Sequence, residues 1–194
     1  FDPDQADLPG SISVPPSSHT SIRPHRDGDI GWNSNLSSGT DLDYWVIRPD
    51  TGGTFTFETT GSTDTVMGLY SSSGAKLTDD DDSGSGSNAR ISYSLSSGTV
   101  YWVVVTGYGS SSGDYTLNTT GPDQTLAGTI STPGPNYEGR GTGNVSPEYD
   151  IDFWSITAPA GATTVDVTLD VQDSSLNGWL RLETSTGSTL GTAD

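Results

Sequence analysis

Four consecutive carboxylates, Asp79-Asp80-Asp81-Asp82, run directly into Ser83-Gly84-Ser85-Gly86-Ser87-Asn88. Adjacent negative charges repel, so a folded chain either keeps such a run in water or neutralises it with a cation. Asp79-x-Asp81-x-Ser83-Gly84 has the opening of a calcium loop, in which alternate side chains and a glycine turn surround a hard cation with oxygen. The helix-loop-helix version needs a bidentate Glu at its twelfth position, where this chain has Arg90, so it is not an EF-hand. A loop between strands draws its remaining oxygens from elsewhere, and Asp41, Asp43, Asp64 and Asn88 are the candidates. Asp41 and Asp43 are two residues apart, which puts both carboxylates on one side of an extended strand. The expected metal ligands are therefore Asp79, Asp81 and Ser83 with Asp41, Asp43 and Asp64, and the expected ion is Ca2+. The competing reading is a solvated acidic loop, with Asp41 and Asp43 accepting turn hydrogen bonds from backbone amides. For Asp43 and Asp152 a structural turn role is the preferred one.

Other chemistry is poorly supplied. Gly109-Ser110-Ser111-Ser112-Gly113 fits G-x-S-x-G in letters, but a nucleophile elbow needs a strand before it and a helix after, and this one lies in a Ser/Gly hairpin. His19 and His25 are the only histidines, both in one irregular stretch, and there is no H-E-x-x-H. With no cysteine, disulfides, thiolate metal sites and cysteine catalysis are all excluded. The chain carries 25 acidic residues against 7 basic ones, a net charge of −18. Nucleic-acid binding requires phosphate neutralisation by Lys and Arg, so it is excluded, and anionic membrane surfaces are disfavoured for the same reason. No apolar run approaches the ~20 residues of a membrane span. The Asp-rich, Lys-poor, Gly/Ser/Thr-rich composition is that of a secreted, extracellular module. The start at Phe1 reads as a processed product or an excised piece.

The elements that must position these residues read as strands. Residues 1–10 look extended, Ser11 to Val14 form a short strand ended by Pro15-Pro16, and 17–40 read as a long loop. Tyr44 to Ile47 is a short apolar run, Thr54 to Thr59 alternates strictly, and Thr65 to Tyr70 is again apolar. Ile91, Tyr93 and Leu95 alternate with serines. Val100 to Val105 is apolar on both faces and reads as a central strand. Tyr115 and Leu117 alternate with Thr116 and Asn118. Strands at this spacing, with turn residues between and no helical period, predict an all-β sandwich. Trp45, Trp102 and Trp154 are expected in or against the core, whereas Trp32 and Tyr108 are expected to pack against the rim of the sandwich, with a carbohydrate- or protein-binding patch as the alternative.

After Gly121-Pro122 the sequence repeats itself. Gly10-Ser11-Ile12-Ser13 returns as Gly128-Thr129-Ile130-Ser131, and Asp41-Leu42-Asp43-Tyr44-Trp45 as Asp150-Ile151-Asp152-Phe153-Trp154. Leu69, Gly74 and Leu77 return as Leu182, Gly187 and Leu190, with Asp194 opposite Asp81. Val165, Val167, Leu169 and Val171 alternate like a strand of the second copy. The expected organisation is residues 1–120 as one module and 121–194 as an incomplete second one. Its missing strands would come from a continuation of the chain or from another subunit.

These motifs, in this order, resemble the bacterial pre-peptidase C-terminal domain family. The residues that carry the likeness are Asp41-Leu42-Asp43-Tyr44-Trp45, Asp64-Thr65-Val66-Met67-Gly68-Leu69-Tyr70, Gly74, the Asp79–Asp82 run, Gly98-Thr99-Val100-Tyr101-Trp102, and Gly113-Asp114-Tyr115-Thr116-Leu117. The resemblance covers residues 5–120 and, in part, 121–194. The chain departs from it in the 15–40 insertion and in Asn177 standing where the first copy has Asp64. It implies tandem jelly-roll-like antiparallel β-sandwiches, the second incomplete, working as a non-catalytic appendage of an exported protein. Some relatives, among them collagenase collagen-binding domains, bind calcium. The implied partners are a protein or polysaccharide surface. The alternative is an extracellular filament or surface layer of identical subunits, joined by strand complementation.

Overall fold

The computed structural model describes residues 8–18, 20–21, 30–122, 126–131, 139–143, 152–171, 180–184 and 189–193. His19, His25, Asn177 and Asp194 lie outside them. The chain forms two compact units, Phe1–Thr125 with Val145–Ile151 and Leu126–Asn144 with Asp152–Asp194. The described residues are all-β.

The first unit contains β1 (Thr20–Ser21), β2 (Ile30–Leu36), β3 (Asp43–Ile47), β4 (Gly53–Gly61), β5 (Thr65–Tyr70), β6 (Lys76–Asp80), β7 (Arg90–Leu95), β8 (Tyr101–Gly107) and β9 (Gly113–Thr120). They make a sandwich of a five-stranded sheet, ordered β1-β3-β8-β5-β6, and a four-stranded sheet, ordered β2-β9-β4-β7. All pairings are antiparallel except β1 with β3. The apolar strand β8 sits at the centre of its sheet, as its two-sided hydrophobicity predicts. The 17–40 stretch is not only loop. Within it β2 pairs with β9 from Ile30↔Thr119 to Leu36↔Gly113. Ile30, Trp32 and Leu36 alternate with Gly31, Asn33 and Asn35, a period of two broken only by Ser34; Gly and Asn are weak strand formers, and the otherwise unpaired edge of β9 supplies the ladder.

Both faces of the five-stranded sheet are buried. Trp45, Ile47, Met67, Leu69, Val103 and Val105 meet Phe55, Phe57, Ile91, Leu95 and Leu117 of the other sheet in the main core. On the opposite face Val46, Val66, Tyr70, Trp102 and Val104 form a second cluster with Leu8. Ile12 and Val14 pack against this cluster, so the N-terminal segment covers what would otherwise be an exposed apolar face. Gly68 leaves the room: a Cβ there would lie 2.9 Å from Leu8 Cδ1. The Tyr70 hydroxyl donates to the Pro9 carbonyl at 2.8 Å, and Ile12 N donates to the Gly74 carbonyl at 2.8 Å. Gly74 has φ +82°, and a Cβ on it would strike the Ile12 carbonyl, so this turn requires glycine. Ser11 to Val14, expected as a strand, makes one isolated bridge, Ser11↔Ala75.

The outer face of the four-stranded sheet is polar. Thr56 and Ser92 share a hydrogen bond of 2.8 Å, Thr116 donates to Asn33 at 2.7 Å, and Asn118 to Thr60 at 3.0 Å. Of the few charges there, Glu58 faces Arg90 at 3.9 Å and Asp114 accepts from the Asn35 amide at 2.6 Å. These rows follow from strict alternation in β4 and β9, whose other side chains fill the core.

In the second unit β10 (Leu126–Ile130) pairs with β11 (Phe153–Ile156) in parallel, and β12 (Leu180–Glu183) pairs with β13 (Thr189–Ala193) antiparallel. The likeness of Gly10–Ser13 to Gly128–Ser131 is not carried into their placement. The first lies along the β5–β6 turn, whereas the second lies beside the Trp154 strand. In the first unit that position beside Trp45 is held by β1, which comes from the 15–40 insertion. Val165 to Val171, read as a strand, forms none, and Leu169 is 49% exposed. Alternation makes a strand only where a neighbour completes its ladder. β4 has one on each side, and no described strand lies beside 165–171.

Candidate functional site: the acidic loop

The Asp run is half strand and half loop. Asp79 and Asp80 end β6, opposite Gly68 and Met67, and the chain then turns through 81–89 to reach β7. Asp80 organises this loop. Its Oδ2 accepts from Ser83 N at 3.1 Å and from Arg90 N at 2.7 Å, and its Oδ1 accepts the Ser83 hydroxyl. One carboxylate therefore closes both ends of the loop and occupies an outward amide of β7, an edge strand. Asp79 stands apart, 3.4 Å from the ammonium of Lys76, the sole lysine. Ser83, expected as a metal ligand, has its hydroxyl committed to Asp80.

Asp64 lies in the turn between β4 and β5. Its amide donates to Ser111 Oγ at 3.1 Å and its carbonyl accepts from Tyr108 N at 3.0 Å. Ser111, the centre of the G-x-S-x-G match, thus serves as a turn brace. The acidic loop is tied to the same turn by Thr65 N to Ser87 O at 3.2 Å. Partial burial holds the Asp64 carboxyl above the usual carboxylate range, and the charges of Asp82 and Asp81 push it the same way. Asp64 thus costs stability when ionised: its contribution is most favourable below the unfolded value and is lost as pH rises through the raised one. Asn88 is buried, 6% exposed, within the loop. Its Nδ2 donates to Ser85 O at 2.6 Å and to Gly61 O at 3.5 Å, while its Oδ1 has no hydrogen-bond partner.

Asp41 and Asp43 belong elsewhere. The register aligns Asp80, Met67, Val105 and Asp43 across four strands, so Asp43 is about 14 Å from Asp80 at ~4.8 Å per strand. No single ion spans that. Asp41 accepts from the Ser37 hydroxyl at 2.7 Å and the Ser37 amide at 2.8 Å, and these bonds hold its carboxyl below the usual range. Asp43 accepts from Ser34 Oγ and from the Tyr115 hydroxyl, both at 2.7 Å, and that hydroxyl accepts from Trp45 Nε1 at 3.0 Å. Burial first, and then the Asp43 carboxylate, push the Tyr115 phenol far up. The network pins the start of β3 to β9 of the other sheet.

The six expected ligands thus separate: Asp64, Asp79, Asp81 and Ser83 around the acidic loop, Asp41 and Asp43 at the far side of the sheet. Asp80 takes a part that spacing alone does not show, because the face on which each Asp of β6 projects depends on the β5–β6 register. Among the described residues no three His, Cys, Asp or Glu side chains converge into a group that could hold a metal by themselves. Also among them, no helix is long and apolar enough to cross a membrane.

The sandwich has counterparts among solved structures. It is similar to the pre-peptidase C-terminal domain of collagenase from Bacillus anthracis, at 12% identity and a TM-score of 0.43, over 56% of this chain and 100% of that one. It is also similar to Aeromonas hydrophila PliG, a periplasmic lysozyme inhibitor of g-type lysozyme, at 11% identity and a TM-score of 0.42, over 53% of this chain and 95% of that one. No protein-family model and no curated protein sequence matches the chain.

Proposed function

We propose that this is a non-catalytic binding and spacing module of an exported protein, with calcium stiffening its acidic loop. The observation that supports the binding role is the outer face of the four-stranded sheet. It presents rows of hydroxyls and amides with little net charge on a chain of net charge −18. Covering such a face with a neutral biopolymer surface desolvates few charges, whereas covering the acidic faces of the chain would strip water from many carboxylates. Two of the groups that the sequence offered for chemistry have structural partners, Ser111 with the Asp64 amide and Asp43 with Tyr115 and Ser34. Retention of the chain on insoluble cellulose, chitin and reconstituted collagen fibres tests the reading. Retention on one of them is expected to fall about tenfold in the Thr56→Lys, Asn118→Lys double variant, with an unchanged melting midpoint. Absence of retention on every such surface, or retention indifferent to the double variant, overturns it.

A second reading, a filament subunit completed by a strand from another copy, is favoured by the second unit. Its described residues hold only two-stranded sheets, which are marginal alone, and Leu190 is 65% exposed. Fibres in electron micrographs of concentrated protein would support this reading, and a monomer at all concentrations would remove it.

A further inference from the structure

We infer that the fold is built for a medium of molar monovalent salt, in which a diffuse layer of cations, rather than cationic side chains, neutralises its surface. The chain has 25 acidic residues and 7 basic ones, so pairing every basic residue would still leave 18 carboxylates uncompensated. Among the described residues none of the Asp and Glu side chains is buried, so this charge lies at the surface. Four of the cations already face a carboxylate: Arg48 with Asp50, Lys76 with Asp79, Arg90 with Glu58 and Arg140 with Asp170, at 3.4 to 3.9 Å. The surplus repels itself within the fold. At Asp64, after burial, the charges of Asp82 and Asp81 disfavour the ionised form. Folding brings such charges closer together than the unfolded chain does, so each uncompensated carboxylate works against the compact state.

Salt decides how far that repulsion reaches. The screening length is about 10 Å at 0.1 M and about 3 Å at 1 M. Neighbouring strands lie ~4.8 Å apart, and successive outward side chains of one strand ~6.8 Å apart. At 0.1 M a carboxylate on the sandwich therefore repels charges on several strands, and at 1 M it is screened even from the next one. The uncharged part of the surface suits the same medium. Salts that are excluded from a protein surface strengthen apolar association, so an exposed apolar face would aggregate there. Among the described residues of the first unit the one large exposed hydrophobic side chain is Leu77, at 37%. The outer apolar face of the five-stranded sheet is covered by Leu8, Ile12 and Val14. At such ionic strength long-range charge cannot select a partner, which leaves short-range hydrogen bonding of the kind that the polar face of the four-stranded sheet offers.

Calorimetric melting of the full chain in NaCl from 0.1 to 3 M tests this. The midpoint of the first unit is expected to rise by roughly 10 °C or more, most of it below about 1 M, where the screening length changes most. The combined Asp79→Asn, Asp81→Asn, Asp82→Asn variant spares Asp80, which closes the loop. It should melt higher than wild type at 0.1 M and alike at 3 M. Lys76→Gln removes the sole lysine and should melt lower than wild type at 0.1 M, with the gap narrowing at 3 M. A wild-type midpoint that does not move with NaCl overturns the inference. So does a rise of equal size in wild type and both variants, which would mark general salting-out rather than relief of carboxylate repulsion. So does a rise that 10 mM calcium reproduces in full at 0.1 M NaCl, since a bound divalent ion would then be the neutralising partner.

Discussion

Truncating Phe57 to alanine is expected to destabilise the first unit by about 3–5 kcal/mol. Phe57 is fully buried in β4, between Ile91 of β7 and Thr119 of β9, and its ring stacks on Phe55 at 6.5 Å and 16°. The loss combines the transfer free energy of a phenyl ring with the cavity left in a sheet that cannot collapse without breaking its ladders. Equilibrium denaturation followed by the fluorescence of the buried Trp45 and Trp102 measures it. Thr56→Ala, one residue away on the polar face, should fall within about 0.5 kcal/mol of wild type. Equal effects at the two positions would contradict the facing of β4.

Asp43→Ala is expected to cost about 3 kcal/mol. It removes the acceptor for both Ser34 Oγ and the Tyr115 hydroxyl, leaving two donors unpaired, one of them on a buried side chain. The variant should keep the full calcium response of wild type, because Asp43 is remote from the acidic loop; loss of that response with modest destabilisation would make Asp43 a ligand after all. The same network gives the unit an alkaline limit. Tyr115, and Tyr70 on the other face, have phenols raised by burial, so their contribution is complete below the ordinary phenol value of about 10. It is lost as pH rises above that value, where the unfolded chain ionises first. Tyr115→Phe should weaken the decline in stability above about pH 10, read from denaturation midpoints across that range.

The strands of the first unit were legible because their alternation records burial directly. Phe55 and Phe57, or Tyr115 and Leu117, can face the core only in an extended chain. The central place of β8 follows from Val100 to Val105 having no polar side to turn to water. β2 was read as loop although Ile30, Trp32 and Leu36 alternate with Gly31, Asn33 and Asn35, because Gly and Asn are weak strand formers and the ladder that holds them comes from β9. The 165–171 segment shows the reverse case, a clear period with no strand among the described residues to pair with.

The acidic run divides in the same way. From sequence alone came its chemistry: four carboxylates before a glycine-serine turn must be solvated, bonded to amides or bound to a cation. Which carboxylate does which was decided by tertiary structure. The β5–β6 register turns Asp80 to close its loop on Arg90 and leaves Asp79 to Lys76, while Asp81 and Asp82, in the turn beyond the ladder, act on Asp64 by their charge. Strand order places Asp41 and Asp43 several strands away. Residue type sets what a side chain can bond to. Its partners come from segments distant along the chain, and only the pairing of strands brings those within reach.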